Sequence, residues 1–350
     1  MTLTDPVAAT CPVPRNETEV VLLGHGSGGA LMAELLAEVI TPRLGFDGPL
    51  EDAGLLDTGS PEIVVSTDSF VVTPRFFPGG DIGSLAVHGT VNDVAMRGAR
   101  PLALALSYIV EEGLPLADLE RITDSVARAA RAAGVRIIAG DTKVVGRGAA
   151  DGIYLTTTGI GVRLPGAEVG AAGGRPGDVV LLSGPIGLHG TAILAARGDL
   201  GFDGDLTSDS RPLNRLVETM IRAAGPAVHA LRDPTRGGLA SALNELAEAS
   251  SVSIEITDAD LPVPQPVASF CELLGLDPLH VANEGCLVAL VAPEHADRVL
   301  TAMRALPEGC RARVLGRVAA GPPGRVTART LVGSSRIVDM LVGEQLPRIC

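Results

Sequence analysis

Apolar and polar positions along the first half of the chain predict strands and helices in turn. Short aliphatic runs with few charges are typical of buried strands, whereas apolar residues spaced three and four apart and followed by glycine are typical of helices that end there. The pattern predicts one domain, at 19–165, after a flexible lead-in at 1–18. Its predicted strands are 20–23, 62–72, 102–110, 135–139 and 153–162, and its predicted helices are 30–40, 82–97 and 116–133.

The second half begins after a glycine-rich stretch with two prolines at 165–177, a composition typical of a linker. Helices and strands follow without a strict strand–helix–strand order, which favours an α+β fold with mixed sheets. We therefore predict a second domain at 176–342 and a mobile tail at 343–350. The predicted helices are 187–197, 213–224, 238–249 and 294–305, and the predicted strands are 179–182, 253–257, 286–291 and shorter ones before Asp233 and near Val314, Val326 and Ile337.

Length, charge and cysteine usage exclude several classes of protein. A chain of 350 residues has room for about two domains. The net charge of −13 argues against nucleic-acid binding, which needs clustered Lys and Arg. The longest apolar run, 102–110, is about half of the ~20 residues that a membrane span needs. The first residues lack the basic and apolar regions of a secretory signal, and five cysteines without a close pair predict reduced thiols. We expect a cytoplasmic protein that binds neither nucleic acid nor membrane.

A glycine-rich segment joins the first predicted strand to the first predicted helix. Such a loop can bring main-chain N–H groups close to phosphates at the positive end of the helix. No lysine follows the glycines, so this is not a Walker phosphate-binding loop, and an ordinary loop that needs positive φ angles explains it equally well. The segment supplies the candidate nucleotide-binding residues Gly26, Ser27, Gly28 and Gly29, with His25 beside them.

Three carboxylates fall near the ends of predicted elements. Asp68 lies at the end of a strand, Asp93 lies on the second helix, and Asp141 directly follows a strand. Acids so placed can converge at one edge of a sheet, and oxygen ligands of this kind suit Mg²⁺ bound to phosphates. The alternatives are a surface pair of Asp93 with Arg97 one helical turn later, and turn or cap roles for the other two.

Lys143 is the only lysine beside 27 arginines. A codon bias toward arginine explains the missing lysines, yet a lysine can lose its proton where an arginine cannot. Two residues after Asp141, Lys143 is a candidate base, and an exposed lysine retained by chance is the alternative.

Cys350 is the last residue of the sequence. A thiol is the most nucleophilic ordinary side chain at neutral pH. A tail of about eight residues at ~3.3 Å per residue spans about 25 Å, which lets such a thiol enter a narrow channel. An accidental terminal thiol is the alternative.

Six stretches spread over most of the chain match one known pattern. They are HGSGG at 25–29, STDSFVVTPRFFPGGDIGSLAVHGTVNDVAMRGARP at 66–101, AGDTKVV at 139–145, RDPTRGGLA at 232–240, ANEGCL at 282–287 and PRIC at 347–350. Together they resemble the HypE family of hydrogenase maturation factors, in the ATP-dependent superfamily of aminoimidazole ribonucleotide synthetase, selenophosphate synthetase and thiamine-monophosphate kinase. The long stretch is specific to the superfamily and PRIC to the hydrogenase branch. Ser27 departs from the pattern, because another glycine is expected there.

The resemblance implies an α+β chain of two domains. The N-terminal domain binds ATP and pairs through its sheet with a second copy in a homodimer, and the C-terminal domain is an α/β sandwich. ATP binds near the dimer interface with Mg²⁺. The residues implied to hold the metal and nucleotide, besides the glycine loop, are Asp68, Asn92, Asp93 and Asp141.

The resemblance also implies a reaction. A carbamoyltransferase, HypF, loads a carbamoyl group onto the Cys350 thiol, ATP phosphorylates the amide oxygen, and loss of phosphate with deprotonation of the nitrogen leaves a thiocyanate. The cyano group then passes to iron on a HypC–HypD scaffold complex. Lys143 and Glu284 would remove the protons, and His25 would orient phosphate or tail. For Glu284 a structural cap, and for His25 a structural hydrogen bond, are the alternatives.

Two other functions stay open on the sequence. One is a small-molecule kinase or synthetase of the same superfamily, for which Cys350 is irrelevant. The other is a carrier or scaffold that binds partners through its tail and has lost catalysis. A variant without the Cys350 thiol keeps full turnover only if the chain is such a kinase or synthetase. A parent protein that does not hydrolyse ATP favours the carrier or scaffold.

Overall fold

The computed structural model describes residues 19–22, 25, 34–45, 56–60, 62–198, 205–340 and 348–350. None of the described helices is long and apolar enough to cross a membrane. Up to residue 165 the elements are a π-helical turn at Leu36–Ile40, α1 (Thr41–Leu44), β1 (Ile63–Phe70), β2 (Phe76–Phe77), β3 (Gly80–Asp81), α2 (Ile82–Met96), β4 (Ala99–Glu111), α3 (Leu116–Ala133), β5 (Arg136–Val145) and β6 (Ile153–Arg163).

Four strands form the N-terminal sheet in the order β1–β6–β4–β5. β6 pairs antiparallel with both of its neighbours, and β4 pairs parallel with β5. Helices α2 and α3 cover one face. Their close approach requires glycine on β6, because a Cβ on Gly161 would lie 2.5 Å from the Val94 side chain of α2. In the described part of the chain the opposite face is open, and Ile63 and Val65 on it are 54% and 56% exposed.

A seven-stranded mixed sheet forms the second domain, in the order β13–β12–β9–β11–β7–β10–β8. Alternate residues of its central strands enter two separate cores, which lie under α5 and α8 on one face and under α6 on the other. The elements are β7 (Val179–Leu182), α4 (Leu188–Arg197), α5 (Asn214–Ala224), β8 (Val228–Arg232), α6 (Gly238–Ala249), β9 (Ser253–Thr257), α7 (Gln265–Leu274), β10 (Val288–Val291), α8 (Ala296–Arg304), β11 (Arg313–Ala319), β12 (Val326–Arg329) and β13 (Ser335–Ile337).

Most elements lie within a few residues of the predicted ones, with three differences. β5 continues to Val145, because its β-branched residues extend the strand, so Asp141 lies inside the strand and not after it. α7 was not predicted. In place of the first predicted strand the described residues form only a single bridge, between Val20 and Pro115. The predicted lead-in and residues 343–347 of the predicted tail lie outside the described residues.

Candidate active site

Buried and half-buried carboxylates lie where the helix face of the N-terminal sheet meets the second domain. Asp68 is on β1 and points to the face that α2 covers, where Asp93 of α2 lies. The Ser66 hydroxyl donates to Asp93 Oδ2 at 2.7 Å, which fixes that carboxylate against β1. Burial raises the pKa of both carboxyls, and the charge of Asp68 raises the pKa of Asp93 further.

The second domain adds Asp233 and Glu284 to this place. Asp233 directly follows β8, and burial together with the charge of Asp93 raises its pKa to about 7. Burial raises the pKa of Glu284 well above its ordinary value, and neighbouring carboxylates raise it further. Acids that raise one another's pKa favour a bound cation or proton. We define the carboxylate cluster as Asp68, Asp93, Asp209, Asp233 and Glu284.

Packed main chain holds Glu284 in place. The preceding residue, Asn283, is fully buried, and its Nδ2 donates to Pro234 O at 2.9 Å. Asp209 accepts hydrogen bonds from Glu284 N at 3.1 Å and from Gly285 N at 3.0 Å. Gly285 has no room for a side chain, because a Cβ there would lie 1.7 Å from Asp209 O. The main chain that carries the Glu284 side chain is therefore fixed against Asp209 and Pro234.

Asp141 and Lys143 lie on the opposite face of the same sheet. Lys143 Nζ donates to Asp141 Oδ1 at 2.7 Å, which lowers the pKa of Asp141. β5 is the edge strand farthest from β1, and both side chains point away from α2. Contrary to the expectation from sequence, Asp141 does not join Asp68 and Asp93 within one chain. Asp68 and Asp141 lie inside strands, where successive residues face opposite sides of the sheet.

Two further candidate site residues, His25 and Asn92, make hydrogen bonds to the main chain. His25 is buried, and its Nδ1 accepts from Leu22 N at 2.9 Å, which is the structural hydrogen bond that was its alternative interpretation. Asn92 is buried on α2, where its Oδ1 accepts from Leu213 N at 2.7 Å and its Nδ2 donates to Arg211 O at 3.1 Å. Asn92 thus fixes the segment before α5 against α2. The loop residues Gly26, Ser27, Gly28 and Gly29 lie outside the described residues.

The last three residues of the sequence are docked where the chain leaves β1. Val71 N donates to Cys350 O at 3.1 Å and Thr73 N donates to Arg348 O at 3.2 Å, so the tail runs antiparallel to this segment. Ile349 is 3% exposed and packs in a hydrophobic cluster that the N-terminal domain shares with helices α4 and α7. Docking brings the thiol residue to the strand that carries the first acid of the carboxylate cluster.

A cavity of about 790 Å³ opens beside the docked tail. Its wall includes residues 72–73, to which the tail pairs, and also Leu114 and two arginines, Arg75 and Arg147. Leu114 O accepts from Val21 N at 2.7 Å, so the chain enters the glycine-rich segment close to this cavity. The volume is typical of cavities that bind small molecules and cofactors.

Comparison with known proteins places the chain in a family. Residues 50–163 match the family described as AIR synthase related protein, N-terminal domain, and residues 175–329 match AIR synthase related protein, C-terminal domain. Carbamoyl dehydratase HypE of Azotobacter vinelandii is 52% identical over 328 residues, which cover 93% of this chain and 96% of that protein. The chain belongs to the HypE family.

Solved structures of the HypE family share the fold. A crystal structure of hydrogenase maturation protein HypE in complex with ATP has a TM-score of 0.90 at 46% identity, over 94% of this chain and 99% of that chain. A HypE–HypF complex has a TM-score of 0.78 at 47% identity, over 89% of this chain and 100% of that chain. The family predicted from the six stretches, and the α+β fold of two domains, are confirmed.

Several residues of this HypE-family site were not singled out from the sequence. Asp233 had a signal, since it lies in RDPTRGGLA directly after a predicted strand. Asp209 lies outside all six stretches. Only the contacts it makes across the folded chain show that it belongs to the site.

Proposed function

We propose that the chain dehydrates a carbamoyl group carried on the Cys350 thiol, with ATP, to a thiocyanate that supplies the cyanide ligand of nickel–iron hydrogenase. The observation that carries the proposal is the docking of Cys350 at the end of β1, next to the carboxylate cluster and a cavity large enough for a nucleotide. Membership in the HypE family supports the same reaction, and so does the solved complex of a relative with ATP.

The reaction needs ATP because the oxygen of the carbamoyl group is a poor leaving group. An amide oxygen does not leave a carbon atom readily, whereas phosphate does. Transfer of the γ-phosphoryl group of ATP to the carbamoyl oxygen therefore prepares the C–O bond for cleavage. The nitrogen then gives up its protons as the C–O bond breaks, so that R–S–C(=O)–NH₂ and ATP become R–S–C≡N, ADP and phosphate. The protein must supply a base at the nitrogen.

Glu284 is the base that the geometry supports best. Its raised pKa makes its carboxylate a stronger proton acceptor than an ordinary one, and a base whose pKa lies nearer the working pH is more effective. Asp209 and Asn283 fix the main chain that carries it. Lys143 is the second base in the proposal. Because Lys143 lies on the open face of the sheet, it serves the site of a second copy of the chain.

The carboxylate cluster fits Mg²⁺. This ion takes one or two carboxylates and completes its coordination with phosphate oxygens and water. Asp68 and Asp93 are two such donors on adjoining elements. Burial raises the pKa of both, the charge of Asp68 raises that of Asp93 further, and a bound cation would favour the ionised form of each. No three metal-ligating side chains of the described residues already form a metal site, so two carboxylates and the substrate would hold the ion, with Asp141 added from a second copy. When bound, Mg²⁺ neutralises charge on the phosphates.

We propose that the nucleotide occupies the cavity beside the docked tail. Arg75 and Arg147 in its wall can contact phosphates, beside the acids Glu111, Glu112 and Asp151. We propose that Gly26, Ser27, Gly28 and Gly29 also bind the nucleotide. In this proposal the γ-phosphate meets the carbamoylated Cys350 at the end of β1, the strand that also carries Asp68.

The open face of the N-terminal sheet supports a homodimer. Ile63, Val65 and Ile109 on this face are 54%, 56% and 37% exposed, and apolar area of this kind marks interaction sites. Asp141 and Lys143 share the face and, as a pair of opposite charges, can exchange partners across a two-fold axis. A second copy that packs its own sheet here covers the apolar residues and brings Lys143 to the other site.

Substitution and subunit mixing test the homodimer. Val65→Glu places a charge in the proposed interface and should give a monomer in analytical ultracentrifugation, whereas the matched Val332→Glu, at a position 90% exposed, should leave the dimer intact. Mixing Lys143→Arg with Cys350→Ala should restore dehydration, because one site of the mixed dimer then has both groups. A monomeric parent, or no restoration on mixing, would contradict the arrangement.

Two protein partners follow from the proposed reaction. A relative has been solved as a HypE–HypF complex, and we propose that a HypF-type carbamoyltransferase loads the Cys350 thiol of this chain. A HypC–HypD scaffold complex then receives the cyano group on its iron. Because these partners need access to Cys350, residues 348–350 must exchange between the docked position and a released one. Since ATP is the cosubstrate, we place the reaction in the cytoplasm.

Mass spectrometry of the peptide 345–350, cut after Glu344, tests the reaction. Carbamoylated protein given Mg²⁺ and ATP should lose one water from this peptide, and Cys350→Ala should neither take up the carbamoyl group nor consume ATP with the transferase. A peptide that keeps its water would refute the dehydratase. Full turnover by Cys350→Ala would instead support the kinase or synthetase, and a parent inert toward ATP would support the carrier.

A further inference from the structure

Helix α4 contacts the docked tail at both of its ends. At its C-terminal end Arg197 Nε donates to Thr73 O at 2.6 Å, and a second guanidinium nitrogen donates to Arg348 O. At its N-terminal end His189 Nε2 lies 2.6 Å from Ile349 O. All of these acceptors are main-chain carbonyls, so these hydrogen bonds do not depend on which side chains the tail carries.

The hydrogen bonds of His189 define its protonation. Burial lowers the pKa of His189 to about 4, so the ring is neutral at pH 7. A carbonyl oxygen can only accept, so Nε2 carries the proton for Ile349 O, and Nδ1 accepts from the Ser208 hydroxyl 2.8 Å away. The Ser208 oxygen in turn accepts from Ser210 N at 3.1 Å. Rotation of the ring would leave buried polar groups unpaired, which is costly.

The residue after Ser208 belongs to the carboxylate cluster. Ser208 N donates to Pro78 O at 2.9 Å, and the side chain of Asp209 accepts from the main chain of Glu284 and Gly285. Because Gly285 lies in main-chain contact with Asp209, a shift of Ser208 moves Asp209 and displaces Glu284 with it. A continuous path of buried contacts thus runs from the tail to the proposed base.

We propose that His189 is a positioning residue that couples docking of the Cys350 tail to the placement of Glu284, through Ser208 and Asp209. The proposal rests on the proposed function, since it gives His189 a part in the same dehydration. With the tail docked, every group on the path is paired. With the tail released, the buried Nε2–H loses its acceptor, so the arrangement that holds Glu284 is complete only when the substrate-bearing thiol is in place.

Two variants test the contact with the tail. His189→Phe keeps a ring without hydrogen bonds, and Arg197→Ala removes the guanidinium. Iodoacetamide should label Cys350 about tenfold faster in each than in the parent, measured without ATP on the peptide 345–350. The exposed Cys310 is the internal control, and its labelling should not change. His189→Gln keeps a donor and an acceptor and should return labelling to near the parent rate. Unchanged Cys350 labelling in both His189→Phe and Arg197→Ala would overturn the contact.

Ser208→Ala tests the coupling itself. It leaves the hydrogen bond from His189 to Ile349 in place, so Cys350 labelling should match the parent. The single-turnover rate constant of dehydration at saturating ATP should fall about tenfold, with the half-saturating ATP concentration unchanged. A rate equal to that of the parent, or a loss of ATP affinity in place of rate, would overturn the proposal. If the parent itself lost no water, the proposed function would fail, while the labelling experiment would still decide the contact.

Discussion

Truncation of Ile349 to alanine should release the tail and leave the rest of the fold intact. The side chain is 3% exposed when the tail is docked, and it packs in the hydrophobic cluster that the N-terminal domain shares with helices α4 and α7. Truncation of a buried isoleucine to alanine costs about 2–5 kcal/mol. This cost falls on the docked state alone, because water surrounds residue 349 in the released state of both proteins.

Such a loss multiplies the ratio of released to docked tail by a factor between about 30 and a few thousand, since each 1.4 kcal/mol is a factor of ten. Iodoacetamide labelling of Cys350 should accelerate by at least about 30-fold, up to the rate of the free peptide 345–350, which sets the ceiling. Dehydration at saturating ATP should slow as the docked fraction falls.

Ile337→Ala is the matched control, because it makes the same truncation at a position on β13 that is 61% exposed. It should change neither Cys350 labelling nor the free energy of unfolding by more than ~0.5 kcal/mol. The result that would refute the reasoning is a fall in the thermal midpoint of Ile349→Ala with unchanged labelling. Ile349 would then be a fixed part of the core and not a releasable anchor.

Three further predictions concern the base, the packing and the pH response. Lys143→Arg should keep its ion pair with Asp141 and the fold but lose most dehydration in the peptide assay, because arginine does not release its proton; full activity would show that Lys143 is not a base. Gly285→Ala should lower the free energy of unfolding in urea by ~1–3 kcal/mol, whereas Gly146→Ala, with open space around it, should not, and equal values would contradict the packing. The folded pKa of His189, about 4, lies below the ordinary value of 6.5, so unfolding takes up a proton between these values. The contribution of the neutral His189 ring to the free energy of unfolding is complete above pH 6.5 and is lost as the pH falls toward 4. The stability advantage of the parent over His189→Gln should therefore shrink by ~3 kcal/mol between about pH 7.5 and pH 4.5, and a constant difference would count against a buried neutral ring.

The elements that local pattern determines were predicted from the sequence. The helix at 116–133 and the strand at 179–182 have the predicted bounds, because a terminal glycine ends the helix and a short aliphatic run forms the strand. The pairing of Asp68 with Asp93 also followed, since one lies on a strand and the other on the helix that packs over it.

The side of the sheet on which Asp141 lies was not predictable in the same way. Successive strand residues alternate between faces, so the length of β5 and its register with β4 decide the side. Contacts between distant positions were also out of reach. Asp209 and Glu284 are 75 residues apart, and His189 and Ile349 are 160 residues apart.

The main-chain pairing of residues 348–350 does not by itself determine which thiol a site uses. Carbonyl and N–H groups are the same in every copy of the tail, so recognition alone does not distinguish the tail of the same chain from that of another molecule. The tether does: seven residues join Met340 to Arg348, and a short tether gives an effective concentration in the millimolar range. Tails of other molecules at micromolar concentration are therefore outcompeted about a thousandfold. Each site works on its own thiol, and dilution of the loaded protein should not slow its reaction over the concentration range in which the homodimer stays intact.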